Sequence, residues 1–330
     1  MGLYKLRVDS SDLNQGIVEK VKTDTIDYEK YFESWLENSP SLLLDEDDGS
    51  TVLWIGRQVT ASIGDTDKFP DLVGIDAAGD LVVVELKKGK TPREVIAQIL
   101  EYAAWGSRLD YEMLDELARD YYSKDQTMCG KSLKQLYQEV FYPDSETEKE
   151  TAFNQKQKLY IVAEEVSPVI KRVSEYLRDV YNVNLNHLEY EILRTPDGEY
   201  LISVEKTLGF EKPNIRKVNG SNIVSAARWS EPVKVKDLIS KEINTITGGK
   251  KDVAFTPNDV IKSLKSKYPE INSETVRCQI TQDCVNHSSR KHYPSGQRDL
   301  YYRVDKGVFR LYDSEKDGTW DWQGQKISTR

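Results

Sequence analysis

Pro70-Asp71, a short interval, and then Glu85-Leu86-Lys87 at the end of an apolar run place two carboxylates and a lysine on what reads as a pair of strands. Such a set is the minimum for metal-assisted phosphodiester cleavage. Carboxylate oxygens are hard ligands suited to Mg2+, and a cation held there polarises a phosphoryl oxygen and lowers the pKa of a bound water. A lysine beside it can orient that water and stabilise charge developing on the phosphate. Glu-x-Lys alone carries little weight, because so short a pattern arises about once by chance in a chain of this length. Its surroundings supply the weight.

Side chains two apart on a strand point to the same face, so Glu85 and Lys87 project together while Val82, Val84 and Leu86 point the other way, into a core. Residues 69–75 and 81–87 are apolar runs separated by Asp76-Ala77-Ala78-Gly79-Asp80, a turn signal, and read as a β-hairpin. Paired residue numbers then sum to about 157, which sets Asp71 opposite residue 85 or 86. Thr91-Pro92-Arg93-Glu94 offers a capping threonine, a proline at the first helical position and a glutamate three residues after the cap. The helix it opens is expected to run to about Trp105, with Gly106 as its stop. On that helix Gln98 and Tyr102, four apart, share a face with Glu94 and Trp105, while Val95, Ile96, Ile99 and Ala103 take the buried side. A glutamine and a tyrosine there can reach the nucleophile or the phosphate backbone.

Pro70-Asp71, Glu85-x-Lys87 and Gln98-x-x-x-Tyr102 resemble the PD-(D/E)xK nuclease superfamily, in the branch with a trailing QxxxY motif. The wider text from Phe69 through Glu85-Leu86-Lys87 to Tyr102 is similar to the nuclease domain of NucS-like endonucleases, firmly over residues 26–110 and more loosely over 158–206. The resemblance implies that Asp71 and Glu85 bind metal, that Lys87 assists the attacking water, and that Gln98 and Tyr102 support the site. An upstream helix ending in Glu37-Asn38-Ser39-Pro40 matches the family's helix that ends in Asn-Pro, with Ser39 inserted. That helix usually offers one more metal-site glutamate. Spacing from Pro40 selects Glu29, with Glu33, one turn on and on the same face, as the alternative.

The rest of the chain supplies context. Its 330 residues allow two domains, and its hydrophobic content of 38% with 31% charged residues describes a surface-rich globular protein. No window approaches the roughly 18 apolar residues of a membrane span, and the first residues lack the apolar core of a secretory signal. Three cysteines, Cys129, Cys278 and Cys284, make no disulfide framework, which fits a cytoplasmic setting. The net charge of −9 conceals an asymmetry: residues 211–330 carry 22 Lys and Arg against 15 Asp and Glu, whereas residues 1–210 carry 24 against 40. Phosphate contact depends on local potential, so the total does not exclude DNA.

Periodicity predicts helices over 28–38, 111–122, 133–140 and 168–181, strands over 51–59 and 158–164, and a hairpin from 187–194 and 200–206. Residues 209–221, with Pro213 and Asn214, read as a linker. After it come three short helices (235–246, 257–267, 273–285) and a hairpin (300–304 and 308–312), the order of a winged-helix domain. Residues 255–312 resemble the winged-helix domains appended to restriction-type nucleases. By that resemblance the third helix would be the recognition helix, with Thr275, Arg277, Gln279 and Gln282 near base edges. Arg290, Lys291, His292, Arg298 and Arg303 would meet phosphates from the loop and wing. Cys278, Cys284, His287 and His292 match no usual structural zinc spacing, so no zinc is expected. Gly248-Gly249-Lys250 lacks the spacing of a P-loop and the strand before it.

The expectation is an α/β protein: a PD-(D/E)xK restriction-endonuclease-like mixed sheet flanked by helices (1–210), a linker (211–230) and a mainly α winged-helix domain (231–330). Its activity would be Mg2+-dependent DNA cleavage, with Mn2+ able to substitute, on a DNA partner and away from membranes. A homodimer is the simplest route to a double-strand break. The alternatives are a structure-specific repair nuclease and a non-cleaving DNA-binding regulator.

Overall fold

A computed structural model describes residues 3–9, 12–24, 29–44, 51–63, 66–68, 70–143, 151–209, 233–293 and 297–327. The segment expected as the linker, 211–230, lies outside the described residues, as does Phe69. In chain order the first unit contains β1 (Tyr4–Asp9), β2 (Asp12–Lys20), β3 (Lys22–Thr23), α1 (Glu29–Asn38), β4 (Leu53–Arg57), β5 (Ala61–Ile63), β6 (Thr66–Lys68), β7 (Leu72–Ile75) and β8 (Leu81–Lys90). It continues with α2 (Val95–Gly106), α3 (Tyr111–Tyr121), α4 (Leu133–Phe141), β9 (Gln157–Glu165), α5 (Pro168–Tyr181), β10 (Leu185–Arg194) and β11 (Tyr200–Leu208). The second unit contains α6 (Val235–Thr247), β12 (Ala254–Phe255), α7 (Pro257–Lys267), α8 (Ser273–Gln282), β13 (Tyr301–Asp305), β14 (Val308–Leu311) and α9 (Ser314–Asp317). No helix among the described residues is long and apolar enough to cross a membrane.

The run Leu81–Leu86 is apolar at nearly every position because helices cover both faces of the strand it forms. Among the described residues, seven strands form one mixed sheet in the order β11-β10-β9-β8-β7-β4, with β3 pairing β10. β8 sits near the middle, antiparallel to β7 and parallel to β9. Leu81 and Val83 pack with Val95, Ile99 and Tyr102 of α2. Val82, Val84 and Leu86 pack on the opposite face with Phe32 and Leu36 of α1 and with Tyr160 and Tyr190. Each of these strand side chains is fully buried, worth about 1.5–3 kcal/mol apiece relative to exposure.

The predicted hairpin forms, with one shift in register. Leu72 pairs with Val84 and Ile75 with Leu81, so partners sum to 156 rather than 157. Its turn is held by Asp76, whose Oδ1 accepts from the N–H groups of Ala78 and Asp80 at 2.9 Å, and by Gly79 at φ +85°, a conformation open to glycine.

One local expectation on the next helix is corrected. Thr91 is not its cap. The Thr91 N–H donates to Glu165 O at 2.9 Å and its hydroxyl accepts from Ser167 N at 2.9 Å, so it closes the β8–β9 pairing. The helix starts four residues later, at Val95. Gly106 stops the helix as expected. It is the last helical residue, and a Cβ there would meet Leu81 Cδ2 at 2.7 Å, so glycine permits close helix–strand packing.

In the second unit, α6, α7 and α8 and a small sheet of order β12-β14-β13 enclose Ile239, Ile243, Val260, Ile280, Tyr301 and Phe309. α7 opens on a capping box in which Thr256 and Asp259 exchange bonds, with Pro257 at the first helical position. α8 is covered twice. One side faces this core, while Cys278 on its other side enters the first unit's core with Tyr293, beside Tyr137, Val140, Phe141 and Tyr142. Three hydrogen bonds accompany that contact: Ser289 Oγ to Glu139 O (2.9 Å), Tyr293 OH to Val140 O (3.3 Å) and Thr51 Oγ1 to His292 O (2.8 Å).

Truncating a buried aromatic at this contact is expected to destabilise the whole chain. Tyr293→Ala should cost about 3 kcal/mol, read as a lower urea midpoint; an unchanged midpoint would show that the two units do not stabilise each other there.

Candidate active site

Asp71 precedes β7 by one residue, and the register of 156 continued by one step sets it opposite Glu85. Its position is held twice. The Asp71 carbonyl accepts from Gln58 N at 3.0 Å, and its carboxylate Oδ2 accepts from Leu86 N at 2.6 Å. Glu85 is 2% exposed, and Lys87 Nζ donates to its Oε1 at 2.5 Å. Asp71, Glu85 and Lys87 therefore meet at one end of the hairpin, as their alternation along the strands requires.

The electrostatics follow from burial. The Asp71 carboxyl is pushed up to about 8, first by desolvation and then by the Glu85 charge, with Glu33 adding to the rise; the Leu86 N–H and the Lys87 ammonium pull it down. Two carboxylates in one poorly solvated place form a donor set that a cation would stabilise. Among the described residues no group of three or more His, Cys, Asp or Glu is gathered for a metal ion. Asp71 and Glu85 nonetheless fit Mg2+, which commonly takes one or two protein carboxylates and completes its shell with water and phosphate.

The two α1 carboxylates expected near the site differ in what the structure describes. The side chain of Glu29 lies outside the described residues. Glu33 is 2% exposed, and its Oε1 accepts from Arg57 Nε at 2.6 Å. Glu33 is also the α1 carboxylate whose charge is felt at Asp71.

On α2, Tyr102 is buried with Val95 and Ile99 in the core against β8, instead of sharing an open face with Glu94, while Gln98 is half-buried one turn earlier. The sequence pattern missed Arg57 and Glu37. Arg57 Nη1 donates to Glu37 Oε2 at 2.7 Å, and Tyr121 OH donates to the other Glu37 oxygen. Glu37 entered the sequence reading only as part of the helix end Glu37-Asn38-Ser39-Pro40 and Arg57 only as part of a strand; the fold brings β4 to α1 and joins them. Glu37 also lines an open cleft of about 900 Å3 between the two units, whose far wall carries Lys291, His292 and Trp322.

The predicted DNA-reading positions fare differently. Thr275, Gln279, Gln282 and Arg290 are buried, at 9%, 3%, 9% and 3% exposure, so they present no side chain to a groove in this arrangement. For Thr275, Gln279 and Gln282 the cause is the double covering of α8. Gln279 Nε2 donates to Asp283 Oδ2 at 2.9 Å, and Arg290 pairs with Asp299 at 2.5 Å. Arg298 donates to Asp283, Asp237 and Lys236 O, so it ties α6 to the end of α8 instead of projecting from a loop. Arg277 is half-buried and donates to Asn258 Oδ1 at 2.5 Å. Arg303 is half-buried on β13, and Lys291 is exposed. Cys278 and Cys284 belong to different cores.

A family described as "Domain of unknown function (DUF7669)" matches residues 234–311, the stretch from α6 to β14. No curated protein matches the sequence. Among solved structures the chain is similar to a repair endonuclease from Pyrococcus abyssi, at 15% identity and a TM-score of 0.26, over 51% of this chain and 50% of that one. It is also similar to a chain described as "Structure of EndoMS-dsDNA2 complex", at 12% identity and a TM-score of 0.26, over 57% of this chain and 65% of that one. The chain thus spans half the length of the first and somewhat under two thirds of the second.

The raised Asp71 carboxyl has a consequence for stability. The folded chain keeps a proton that the unfolded chain releases near pH 4, so stability from this group is full below about pH 4 and is lost as pH rises towards about 8. Asp71→Asn removes the charge. In melts recorded with chelator, the variant should exceed the parent by a wider margin at pH 9 than at pH 5; a pH-independent margin would contradict the assignment.

Proposed function

We propose that this chain is a divalent-metal-dependent DNA endonuclease of restriction type, built on a PD-(D/E)xK core with a winged-helix-type second unit. The observation that carries the proposal is the meeting of Asp71, Glu85 and Lys87 at one buried end of the β7–β8 hairpin. The order helix, strand, helix, helix, hairpin in the second unit supports its winged-helix part.

Asp71 and Glu85 would hold Mg2+ or Mn2+, with Glu33 as the third acidic group. The bound cation supplies charge for the phosphoryl oxygen and acidifies a water. The remaining work belongs to the chain. The Leu86 N–H fixes one Asp71 oxygen and so the direction of the other. Lys87, on the same face as Glu85, holds a positive charge where negative charge develops in phosphate transfer. Tyr102, packed in the α2 core, sets the distance of the helix from β8 and so the position of Gln98. Duplex DNA would approach with its phosphates near Lys291 at the interunit cleft and Arg303 on the β13–β14 hairpin, because the side chains of α8 expected to read bases are covered. One such site cuts one strand, so a homodimer would give a double-strand break.

The test incubates the whole chain with unmethylated, methylated and mismatched duplexes, in Mg2+ or in EDTA. Cutting should require the metal, and Lys87→Ala should lower the rate on the order of 100-fold or more. Preference among the three duplexes separates a restriction enzyme from a repair enzyme. DNA binding without metal-dependent cutting would identify a regulator, and equal cutting by Lys87→Ala would remove Lys87 from the site.

Contact with DNA has its own measurement. Lys291→Ala should weaken duplex binding and flatten its salt dependence by about one phosphate contact. The same loss in the buried Gln279→Ala, with its melting temperature unchanged, would restore α8 as the reading helix.

A further inference from the structure

Arg57 is the last residue of β4 and pairs in register with Leu72, the residue after Asp71. Its guanidinium leaves the sheet towards α1 and spends its donors on one turn of that helix. Nε donates to Glu33 Oε1 at 2.6 Å, Nη1 to Glu37 Oε2 at 2.7 Å and Nη2 to Ser34 Oγ at 3.1 Å. Gln58 Nε2 approaches the other Glu33 oxygen at 3.4 Å, and Tyr121 OH donates to Glu37 Oε1. Glu33 and Glu37 lie four apart and share a helix face, so one planar fork can serve both. The Glu33 side chain is 3% exposed, whereas that of Arg57 is 31% exposed. A carboxylate so buried needs a fixed cationic partner, and Arg57 is that partner, next in the sheet to Asp71.

We propose that Arg57 is a positioning residue of the metal site: its guanidinium fork fixes the Glu33 carboxylate beside the strand end that carries Asp71, where Gln58 meets both residues, and sets the angle of α1 through Glu37. The inference rests on the metal-dependent activity proposed above. A lysine offers a point charge without the planar fork, so it can neutralise Glu33 but cannot direct Glu33, Ser34 and Glu37 at once. The effect therefore belongs to geometry more than to charge. It should appear as a loss of metal affinity that the conservative replacement restores only in part.

The experiment titrates Mn2+ into the whole chain by calorimetry, with far-UV circular dichroism and melting curves recorded on the same samples. Arg57→Gln should weaken Mn2+ binding about 10- to 100-fold, and Arg57→Lys should lie between it and the parent. In a Glu33→Gln background, Arg57→Gln should cause little further loss, because the two residues then act as one unit. If Arg57→Gln does not fold, Glu37→Gln keeps the question open to measurement: it removes one anchor of the guanidinium, leaves Glu33 intact, and should weaken Mn2+ severalfold at unchanged secondary structure. Parental Mn2+ affinity in the folded Arg57 or Glu37 variants, or losses that simply add in the double variant, would overturn the role of Arg57. A parent chain that binds no Mn2+ would instead overturn the metal site itself.

Discussion

Two carboxylates are held close together at the buried end of a hairpin, and much of the first unit is arranged around tolerating that repulsion. Asp71 and Glu85 are near neighbours because antiparallel pairing with partners summing to 156 leaves them little choice. Both faces of β8 are covered, by α2 on one side and α1 on the other, so Glu85 is shut away from water while Asp71 stays half-buried. The chain answers locally, with the Leu86 N–H on Asp71 and the Lys87 ammonium on Glu85. What remains unfavourable shows in the raised Asp71 carboxyl. A cation bound between the two carboxylates would offset it.

The Arg57 network extends the same logic outward. Glu33 adds to the rise at Asp71, and its burial is tolerable because a guanidinium from the adjoining strand meets it. Through Glu37 and Tyr121 that guanidinium also joins α1 to α3. Site electrostatics and helix placement are thus coupled: shifting α1 would alter the charge near Asp71, and changing that charge would loosen α1.

The second unit, built on three helices and a small sheet, is seated with its third helix inward. Cys278 and Tyr293 fill the core formed by α4, and backbone carbonyls of Glu139 and Val140 accept bonds from Ser289 and Tyr293. A helix packed on two sides has few positions left for a ligand, which explains why Gln279 and Asp283 satisfy each other and Arg298 closes the same cluster. The basic surplus of this unit is consequently carried by other surfaces, including Lys291 at the cleft between the units.

Alternation and turn chemistry determined the hairpin, its carboxylates and the paired direction of Glu85 and Lys87, because strand periodicity and the Asp76–Asp80 turn are local properties of the chain. Capping did the same for α7, where Thr256, Pro257 and Asp259 are neighbours in sequence. Thr91 shows the limit: its text is that of a cap, yet a partner from β9 seventy-odd residues away claimed its backbone. Spacing set Tyr102 and Gln98 on a helix face away from the core, and Tyr102 entered it, since which face is buried depends on which strand lies opposite. Tertiary structure alone decided that Glu33 lies near Asp71, that Arg57 serves it, and that α8 is covered. Each of those outcomes depends on contacts between segments distant in sequence, and a helical stripe reports that a face is apolar without reporting how many neighbours will press against the helix.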